Sequence, residues 1–319
     1  MNPEQLLQKY RHLDDLHLTR ILGAWVVISE GRVIEVEKSR ALRCCPLQSM
    51  LSGADIETYA AEKITELGQF TPRREVWRSS FGVPFGASEM LMTALRKGAI
   101  DCAITVCDGA GTVVTGVPEV AQGIGARMNG VFYTSPIPQV QQKLRSHGCI
   151  LFDDARIDQV EGLRKAVEAG FTRIVVTVNG RFGQRFADLR QVEKEAGVAV
   201  TIAAVCTTGI DDRRADEIIA TCDLAWTCAS RPLREKCQSA QLQLTQAIPV
   251  FVYTAKGREL LAAYSDEAGA AILRGLDPAK QHFLAAGGSG AEILLGETRL
   301  RIREAQLPIR SRNEPQPLD

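Results

Sequence analysis

The sequence predicts an α/β protein whose core is a mostly parallel sheet of Rossmann-like strand–helix units. Short apolar runs of strand length, such as Ile174–Val178 and Val198–Val205, alternate with amphipathic segments of helix length. Glycines close several of those helical segments, at Gly98, Gly148 and Gly197, as is typical of helix C-termini. Because strands separated by helices pair through crossover connections, the sheet is predicted to be covered on both faces.

The N-terminal region, residues 1–84, is predicted to differ from this core. A helical lead-in is followed by a β-hairpin in which the apolar segments 21–28 and 33–36 flank a turn at Glu30-Gly31. A helix is predicted over residues 55–67, where it is followed by a glycine.

The Rossmann-like core is predicted to span residues 85–255. Its predicted helices cover residues 88–97, 139–147, 158–169, 186–196 and 212–220, and its predicted strands cover residues 99–106, 149–152, 172–178, 198–205, 223–227 and 248–253. Residues 256–306 are predicted to form an α+β segment. The tail at 307–319 contains three prolines and few apolar residues, so it is predicted to be flexible.

Charge and hydropathy give no support for nucleic acid or a membrane as a partner. Lys plus Arg equal Asp plus Glu at 38 each, so no net charge attracts nucleic acid, and no apolar run reaches the roughly 20 residues that cross a membrane. The first residues lack the pattern of a secretory signal, so a cytoplasmic location is expected. In that reducing setting, the nine cysteines predict buried thiols, redox thiols or metal ligands rather than a disulfide framework. The oligomeric state stays open.

Three cysteines follow predicted strands, where ligands bind in open α/β sheets. These are Cys107, Cys206 and Cys228, and Cys45 lies in a loop beside a proline. Thiolates are the usual ligands of iron–sulfur clusters. The sequence therefore predicts a metal site at Cys45, Cys107 and Cys228, with Cys206 as an optional fourth ligand. The alternative is that each thiol packs as a small apolar side chain.

Glycine-rich segments predict a second kind of site, for a small anion. Backbone amides near glycines and hydroxyl residues can cradle an anion, and an arginine can clamp it. The candidate residues are Gly86, Ser88, Asp108, Gly109, Gly111, Thr112, Gly123, Gly125 and Arg127. None of these segments matches a phosphate-binding loop or a dinucleotide fingerprint, and tight turns or helix caps are the alternative interpretation.

Several ordered segments resemble methanogenesis marker protein 8, a family found in methanogenic archaea and some anaerobic bacteria. The similar segments are 85–89, 107–113, 122–128, 134–138, 157–162, 207–210 and 228–230, within a resemblance that covers residues 20 to 255. The resemblance implies a link to methane metabolism and to maturation of its metal cofactors. Gln69 and Phe70 stand where members of that family tend to carry a cysteine, which weakens the case for a shared four-cysteine cluster.

Three functions stay open on the sequence. The first is a metal-cofactor protein with an iron–sulfur cluster, which serves redox chemistry or metal-cofactor maturation in an anaerobe. Its partner is then the machinery that makes metal cofactors. The second is a metal-free enzyme that binds a small anionic metabolite. The third is a non-catalytic accessory subunit. The sequence does not decide whether the chain is catalytic.

Overall fold

The computed structural model describes residues 2–37, 55–126, 130–183 and 185–319. The helices are α1 Pro3–Tyr10, α2 Ile56–Leu67, α3 Ala87–Arg96, α4 Pro118–Gly125, α5 Pro138–Ser146, α6 Gln159–Glu168, α7 Phe186–Ala196, α8 Asp212–Thr221, α9 Arg231–Glu235, α10 Ala255–Ala263 and α11 Glu267–Arg274. The strands are β1 Leu16–Ile21, β2 Ala24–Ser29, β3 Arg32–Val36, β4 Cys102–Cys107, β5 Gly111–Thr115, β6 Gly130–Thr134, β7 Ile150–Leu151, β8 Arg173–Asn179, β9 Ala199–Val205, β10 Leu224–Trp226, β11 Leu242–Leu244, β12 Val250–Val252, β13 His282–Ala285, β14 Ala291–Leu295 and β15 Thr298–Glu304.

A large mixed sheet forms the centre of the described structure. Its strand order is β14-β15-β13-β11-β12-β10-β9-β8-β4-β5-β7. The parallel pairings join β4 to β8, β8 to β9, β9 to β10, and β11 to β13, whereas the other pairings are antiparallel. The α/β class is therefore confirmed. The expectation of a mostly parallel sheet is not confirmed for the sheet as a whole and describes only its centre.

The central strands β8 and β9 are mostly apolar and buried, because helices cover both faces of the sheet there. On one face, Ile174, Val176 and Val178 of β8 lie in a core cluster that also contains residues of α6, α7 and α8. On the other face, Val175 packs in a cluster with residues of α3 and α10. Burying each of these valine or isoleucine side chains contributes about 1.5–3 kcal/mol, so this double burial fixes the position of β8 and its neighbours.

The second sheet is small and antiparallel, with the order β3-β2-β1-β6. The predicted hairpin is present as β2 and β3, but its first strand begins at Ala24, because the chain turns at Leu22 and Gly23, where φ is +46° and +87°. The left-handed backbone of these two residues is that of a tight two-residue hairpin turn. β6 comes from the predicted core yet pairs with β1, so the N-terminal region and the core share this sheet.

Two further differences concern connections that the sequence did not reveal. β5 follows β4 directly as an antiparallel hairpin, where only a loop was expected. β12 runs antiparallel to β10 although helix α9 separates them. The strand that follows α9 is β11, and the chain reverses between β11 and β12, which pair antiparallel. By contrast, the predicted helix over residues 186–196 is confirmed at both ends, and Gly197 caps it with φ +65°.

The segment 305–319, which includes the predicted flexible tail, makes specific contacts in the structure. Leu307 is 3% exposed and Glu314 is 4% exposed. The backbone N–H groups of Leu307 and Ile309 donate to side chains of the large sheet region, at 3.0 and 2.8 Å. Among the described residues, no helix is long and apolar enough to cross a membrane.

Candidate functional site

The carboxyl ends of β8, β9 and β10 lie side by side. β9 pairs in parallel with β8 along its whole length and with β10 at Leu224 and Ala225, so the three strands end at one edge. The loops that follow them are tied together: the Thr207 hydroxyl donates to the Trp226 carbonyl at 2.7 Å, and the Ala229 N–H donates to the Thr208 hydroxyl at 3.1 Å. These hydrogen bonds hold the loops after β9 and β10 in a fixed relation.

The first residue after β9 and the second after β10 are cysteines with unusual backbone geometry. Cys206 has φ +55° and Cys228 has φ +45°. Side chains other than glycine, asparagine and aspartate rarely adopt this left-handed region, and residues held there concentrate at functional sites. Both residues are also partly exposed, although the Cys228 sulfur itself is shielded from water, whereas the other cysteines that the structure describes are buried.

The loop after β9 surrounds the Cys228 sulfur with donors. The backbone N–H groups of Cys206 and Thr207 both donate to it, and the Arg234 guanidinium lies close enough to interact with its charge. Burial raises the pKa of the Cys228 thiol, and these N–H groups and the Arg234 charge oppose that rise. Burial outweighs these contributions, so the surroundings as a whole favour the neutral Cys228 thiol, and the N–H groups and Arg234 limit how far its pKa rises.

Arginines from two other segments reach the same edge. Arg20, at the end of β1, donates to the carbonyls of Gly23 and Thr208, and Arg181, just after β8, donates to the carbonyl of Gly209. The pKa of Arg20 is lowered to about 10, first by burial and then by the positive charge of Arg181. The charges of Asp319 and Cys206 act in the opposite direction, so both groups lie near Arg20.

Arg234 in α9 is the most buried cation of this region, with 1% of its surface exposed. Its Nη2 donates to the carbonyls of Cys228 and Ala247, and its Nη1 lies 3.5 Å from a Glu314 carboxylate oxygen. Its Nε has no hydrogen-bond partner among the described residues. Burial lowers the pKa of Arg234 to about 10, while Glu314 and Cys228 favour its charged form.

We call Arg20, Arg181, Cys206, Cys228 and Arg234 the strand-end site. Its chemistry combines two thiols with three guanidinium groups, an arrangement suited to anionic groups and to sulfur nucleophiles. Cys206 and Cys228 were candidates on the sequence alone. Arg181 is the third residue after the predicted strand 172–178 and could have been found by the same rule, whereas nothing in the sequence connects Arg20 or Arg234 with those cysteines.

The predicted anion loop at residues 108–112 is a buried hairpin turn between β4 and β5. Asp108 accepts from the Nε of Arg74 at 2.8 Å and from the N–H of Phe70, and both charged side chains are at most 1% exposed. Gly109 and Gly111 have φ +77° and +68°, as the turn requires. Thr112 accepts from the backbone N–H of Asp158 at 2.8 Å. These candidates hold the hairpin in place and lie within the packed interior.

The predicted anion position at the start of α3 is occupied by the chain's own Glu89. One Glu89 oxygen accepts from the backbone N–H groups of Gly82 and Val83 and from the Gln122 amide, and the other accepts from the Ser88 hydroxyl. A Cβ on Gly86 would lie 2.0 Å from the Glu89 carboxylate. Gly86 and Ser88 therefore surround an internal carboxylate.

The remaining glycines of the predicted anion site lie in α4 and serve close packing. A Cβ on Gly123 would lie 2.3 Å from the Val76 backbone, and one on Gly125 would lie 2.5 Å from the Ser88 Cβ. Arg127, the predicted clamp, lies outside the described residues.

The predicted metal ligands are only partly brought together. Cys206 and Cys228 share the strand-end site, but β4, which carries Cys107, is three strand positions from β10 in the sheet. Neighbouring strands lie about 4.8 Å apart, so β4 and β10 are roughly 14 Å from each other. The strand order therefore contradicts the expectation of a cluster shared by Cys107 and Cys228. Cys107 is 0% exposed and burial raises the pKa of its thiol.

The described residues also lack any other cluster of metal-binding side chains. In the ranges that the structure describes, no group of three or more His, Cys, Asp or Glu side chains is arranged to hold a metal ion. Cys45, the remaining candidate, lies outside the described residues.

The fold and this site define an α/β protein with a thiol- and arginine-containing site at the ends of its central parallel strands. The chain belongs to the family described as "Uncharacterized protein conserved in archaea (DUF2099)", whose profile matches residues 17–264. It is also 37% identical, over 258 residues, to an uncharacterized protein of Methanocaldococcus jannaschii, and the match covers 77% of this chain and 89% of that protein. The range that the family profile matches, residues 17–264, contains the whole strand-end site.

Proposed function

We propose that the chain is an enzyme that binds a small anionic metabolite at the strand-end site and acts on it through a cysteine thiol. The observation that carries this proposal is the convergence of Arg20, Arg181 and Arg234 on the two partly exposed cysteines. Guanidinium groups bind carboxylates and phosphates with two parallel hydrogen bonds, and they also stabilise a thiolate. The site replaces the glycine-rich segments as the proposed anion-binding position, because those segments hold the internal Glu89 carboxylate, form a packed hairpin turn or serve helix packing.

The division of roles follows from exposure. Arg181 is exposed and lies at the mouth of the site, so it can contact an incoming anion directly. Arg20 is partly exposed and is in electrostatic contact with both Arg181 and Cys206. Arg234 is buried and acts on the Cys228 side. An anion bound between Arg20 and Arg181 would therefore lie next to the Cys206 thiol.

Titration with inorganic phosphate tests the anion site. The reduced protein should bind phosphate, and Arg181→Gln should weaken binding about tenfold or more, since a charge-assisted hydrogen bond contributes about 1.5–3 kcal/mol. Arg185→Gln is the matched control, because Arg185 is a nearby exposed arginine that pairs with Asp188 at 2.9 Å and lies outside the site. Equal weakening in both variants would show a general charge effect and would count against the proposal.

Alkylation tests the participation of a thiol. Iodoacetamide should modify Cys206 in the reduced protein, and saturating phosphate should slow that reaction severalfold because the anion covers the thiol. A rate that phosphate leaves unchanged would separate the anion site from the cysteines and contradict the proposal.

A second candidate is a metal-cofactor protein of the methanogenesis marker protein 8 type, in redox chemistry or cofactor maturation in the cytoplasm of an anaerobe. The observation that favours it is that Cys206 and Cys228 end adjacent strands and can supply two thiolates to one metal centre. In this proposal Cys45 supplies a third thiolate and Cys107 supplies none. Iron and sulfide analysis of anaerobically purified protein tests it: Cys228→Ser should lose bound iron and Cys107→Ser should retain it.

A further inference from the structure

The parallel register of β9 and β10 brings the backbones of Cys206 and Cys228 near each other. The parallel register pairs Ala225 with Ala204, and its extension places Cys228 opposite Thr207, one residue from Cys206. Strands about 4.8 Å apart with a rise of about 3.3 Å per residue put the Cα atoms of such a diagonal pair roughly 6 Å apart. Disulfides span Cα distances of about 4.4–6.8 Å.

The left-handed backbone at both cysteines changes where their side chains point. In an undisturbed parallel pair, Cys228 would share a sheet face with Thr207, and Cys206 would point to the opposite face. Positive φ at both cysteines interrupts this alternation. The Cys228 sulfur accepts from the backbone N–H of Cys206 itself, so it lies against the Cys206 backbone.

Exposure and charge set this pair apart from the other thiols. Cys102, Cys107, Cys149, Cys222 and Cys237 are buried, whereas Cys206 and Cys228 are partly exposed. Each member of the pair also has an arginine in electrostatic contact, Arg20 for Cys206 and Arg234 for Cys228. Thiols that are accessible and face positive charge are the ones that exchange with disulfides.

We propose that Cys206 and Cys228 form a redox-active dithiol that closes to an intramolecular disulfide on reaction with a small disulfide compound. The Cys206 thiolate attacks one sulfur of the compound, RSSR, which forms a mixed disulfide and releases one RS⁻. The Cys228 sulfur then attacks the Cys206 sulfur and releases the second RS⁻. The protons of the two cysteines pass to the two released thiolates, so two RSH leave, the protein is oxidised by two electrons and the compound is reduced.

The order of the two steps follows from the surroundings of each sulfur. Burial raises the pKa of the Cys228 thiol against the opposing effect of its neighbouring N–H groups and Arg234, which suits this shielded sulfur to the second step. Cys206 lies on the side of Arg20 and Arg181, where a solvent-borne compound can reach it. This inference does not depend on the identity of an anionic substrate.

Peptide mapping tests the proposal directly on the full chain. The protein is equilibrated with glutathione disulfide and reduced glutathione at increasing ratios, alkylated, and digested with trypsin. Cys206 lies in the tryptic peptide 195–213 and Cys228 lies in 215–234. We expect these two peptides to be joined, with a mass about 2 Da below their sum because closure removes two hydrogens. The joined species should disappear when reduced glutathione is restored.

Cys222 is the matched control because it lies in the same peptide, 215–234, but is buried. Cys222→Ser should retain the joined peptides, whereas Cys206→Ser and Cys228→Ser should lose them and leave the remaining cysteine glutathionylated or free. A joined species that survives Cys228→Ser, or none at any glutathione ratio in the wild-type protein, would overturn the proposal. Phosphate binding by the reduced protein is a separate measurement, so failure of the proposed function and failure of the dithiol are distinguishable.

Discussion

At the scale of single residues, the buried pair of Arg74 and Asp108 does more for the fold than any surface ion pair. The Arg74 guanidinium donates to Asp108 and to the carbonyls of Glu75, Gly123 and Ile124, so it ties the segment before α3 to α4 and to the β4–β5 turn. The Asp108 charge holds the pKa of Arg74 above its ordinary value against the opposing effect of burial. A buried charge that loses its partner is strongly destabilising, whereas an exposed one is not.

Arg74→Met should therefore lower the free energy of unfolding by about 3–5 kcal/mol, because Asp108 is left buried without a cation. Arg299→Met is the control: Arg299 pairs with Glu292 at 2.8 Å but is 79% exposed, so its loss should cost at most about 0.5 kcal/mol. Urea denaturation at neutral pH measures both. Similar losses in the two variants would show that burial of the pair does not matter.

Asp101 gives a prediction about pH. The Arg173 side chain lowers the pKa of Asp101 to about 2, with help from the backbone N–H groups of Thr172 and Arg173. A depressed pKa adds stability that is fully present above the unfolded value of about 3.9 and is lost as the pH falls through the folded value. The stability difference between the wild type and Asp101→Asn should thus shrink by about 1 kcal/mol between pH 5 and pH 2, after allowance for solvent screening at the half-exposed Arg173. Denaturation curves that keep a constant separation over this range would contradict the assignment.

The residues of the strand-end site show how far sequence reasoning reaches. Cys206 and Cys228 could be selected because each follows an apolar run of strand length, and the parallel pairing of β9 with β10 brings them together. Cys107 satisfies the same rule but lies elsewhere in the sheet, because strand order depends on packing between distant segments. Arg20 comes from the other sheet, and only the folded chain brings it to this edge.

At the scale of elements, local patterns specify helices better than they specify which strands pair. The bounds of α7 were predicted because Gly197 marks the end of an amphipathic segment. β5 was missed because the glycines of its turn also fit an anion-binding loop. A hairpin turn and an anion-binding loop cannot be distinguished here from the sequence alone. The direction of β12 depends on β11, a strand of three residues that carries too little pattern to be recognised.

The β4–β5 turn allows the two interpretations of its glycines to be tested against each other. Gly111 has φ +68° and a Cβ there would lie 2.1 Å from the Ala155 carbonyl oxygen, whereas Gly148 has φ +75° with open space around it. Gly111→Ala should cost about 3 kcal/mol or more, from backbone strain together with displacement of packed backbone, and Gly148→Ala about 1–2 kcal/mol from strain alone. Thermal and urea denaturation measure this difference. If Gly111→Ala instead abolished phosphate binding without loss of stability, the anion-loop interpretation would be restored.

At the scale of the whole molecule, the segment 305–319 links the far side of the large sheet to the strand-end site. It begins near β13, where the Ala305 N–H donates to Gln281, and it passes Arg234, which faces Glu314. It then reaches the loop after β10: the Asp319 N–H donates to the Ala229 carbonyl and the Asp319 carbonyl accepts from Arg231. These contacts connect the tail directly to the loop that carries Cys228.

Removal of residues 316–319 should make the strand-end site more accessible. Asp319 lies beside Ala229, the residue after Cys228, and its carboxylate favours the charged form of Arg20. Without this segment, we expect iodoacetamide to modify Cys206 and Cys228 severalfold faster and phosphate to bind more tightly, because Arg20 loses a competing carboxylate.

The control for this deletion is Asp319→Asn in the full chain, which removes the charge and keeps the backbone contacts with Ala229 and Arg231. If Asp319→Asn binds phosphate more tightly but is alkylated at the wild-type rate, the tighter binding of the deletion variant results from loss of charge. Its faster alkylation then results from loss of physical coverage. Mass spectrometry of the alkylated tryptic peptides separates the two cysteines. Alkylation rates that stay the same after the deletion would show that the segment does not cover the thiols, and its contacts would then serve only the packing of Arg234 and Glu314.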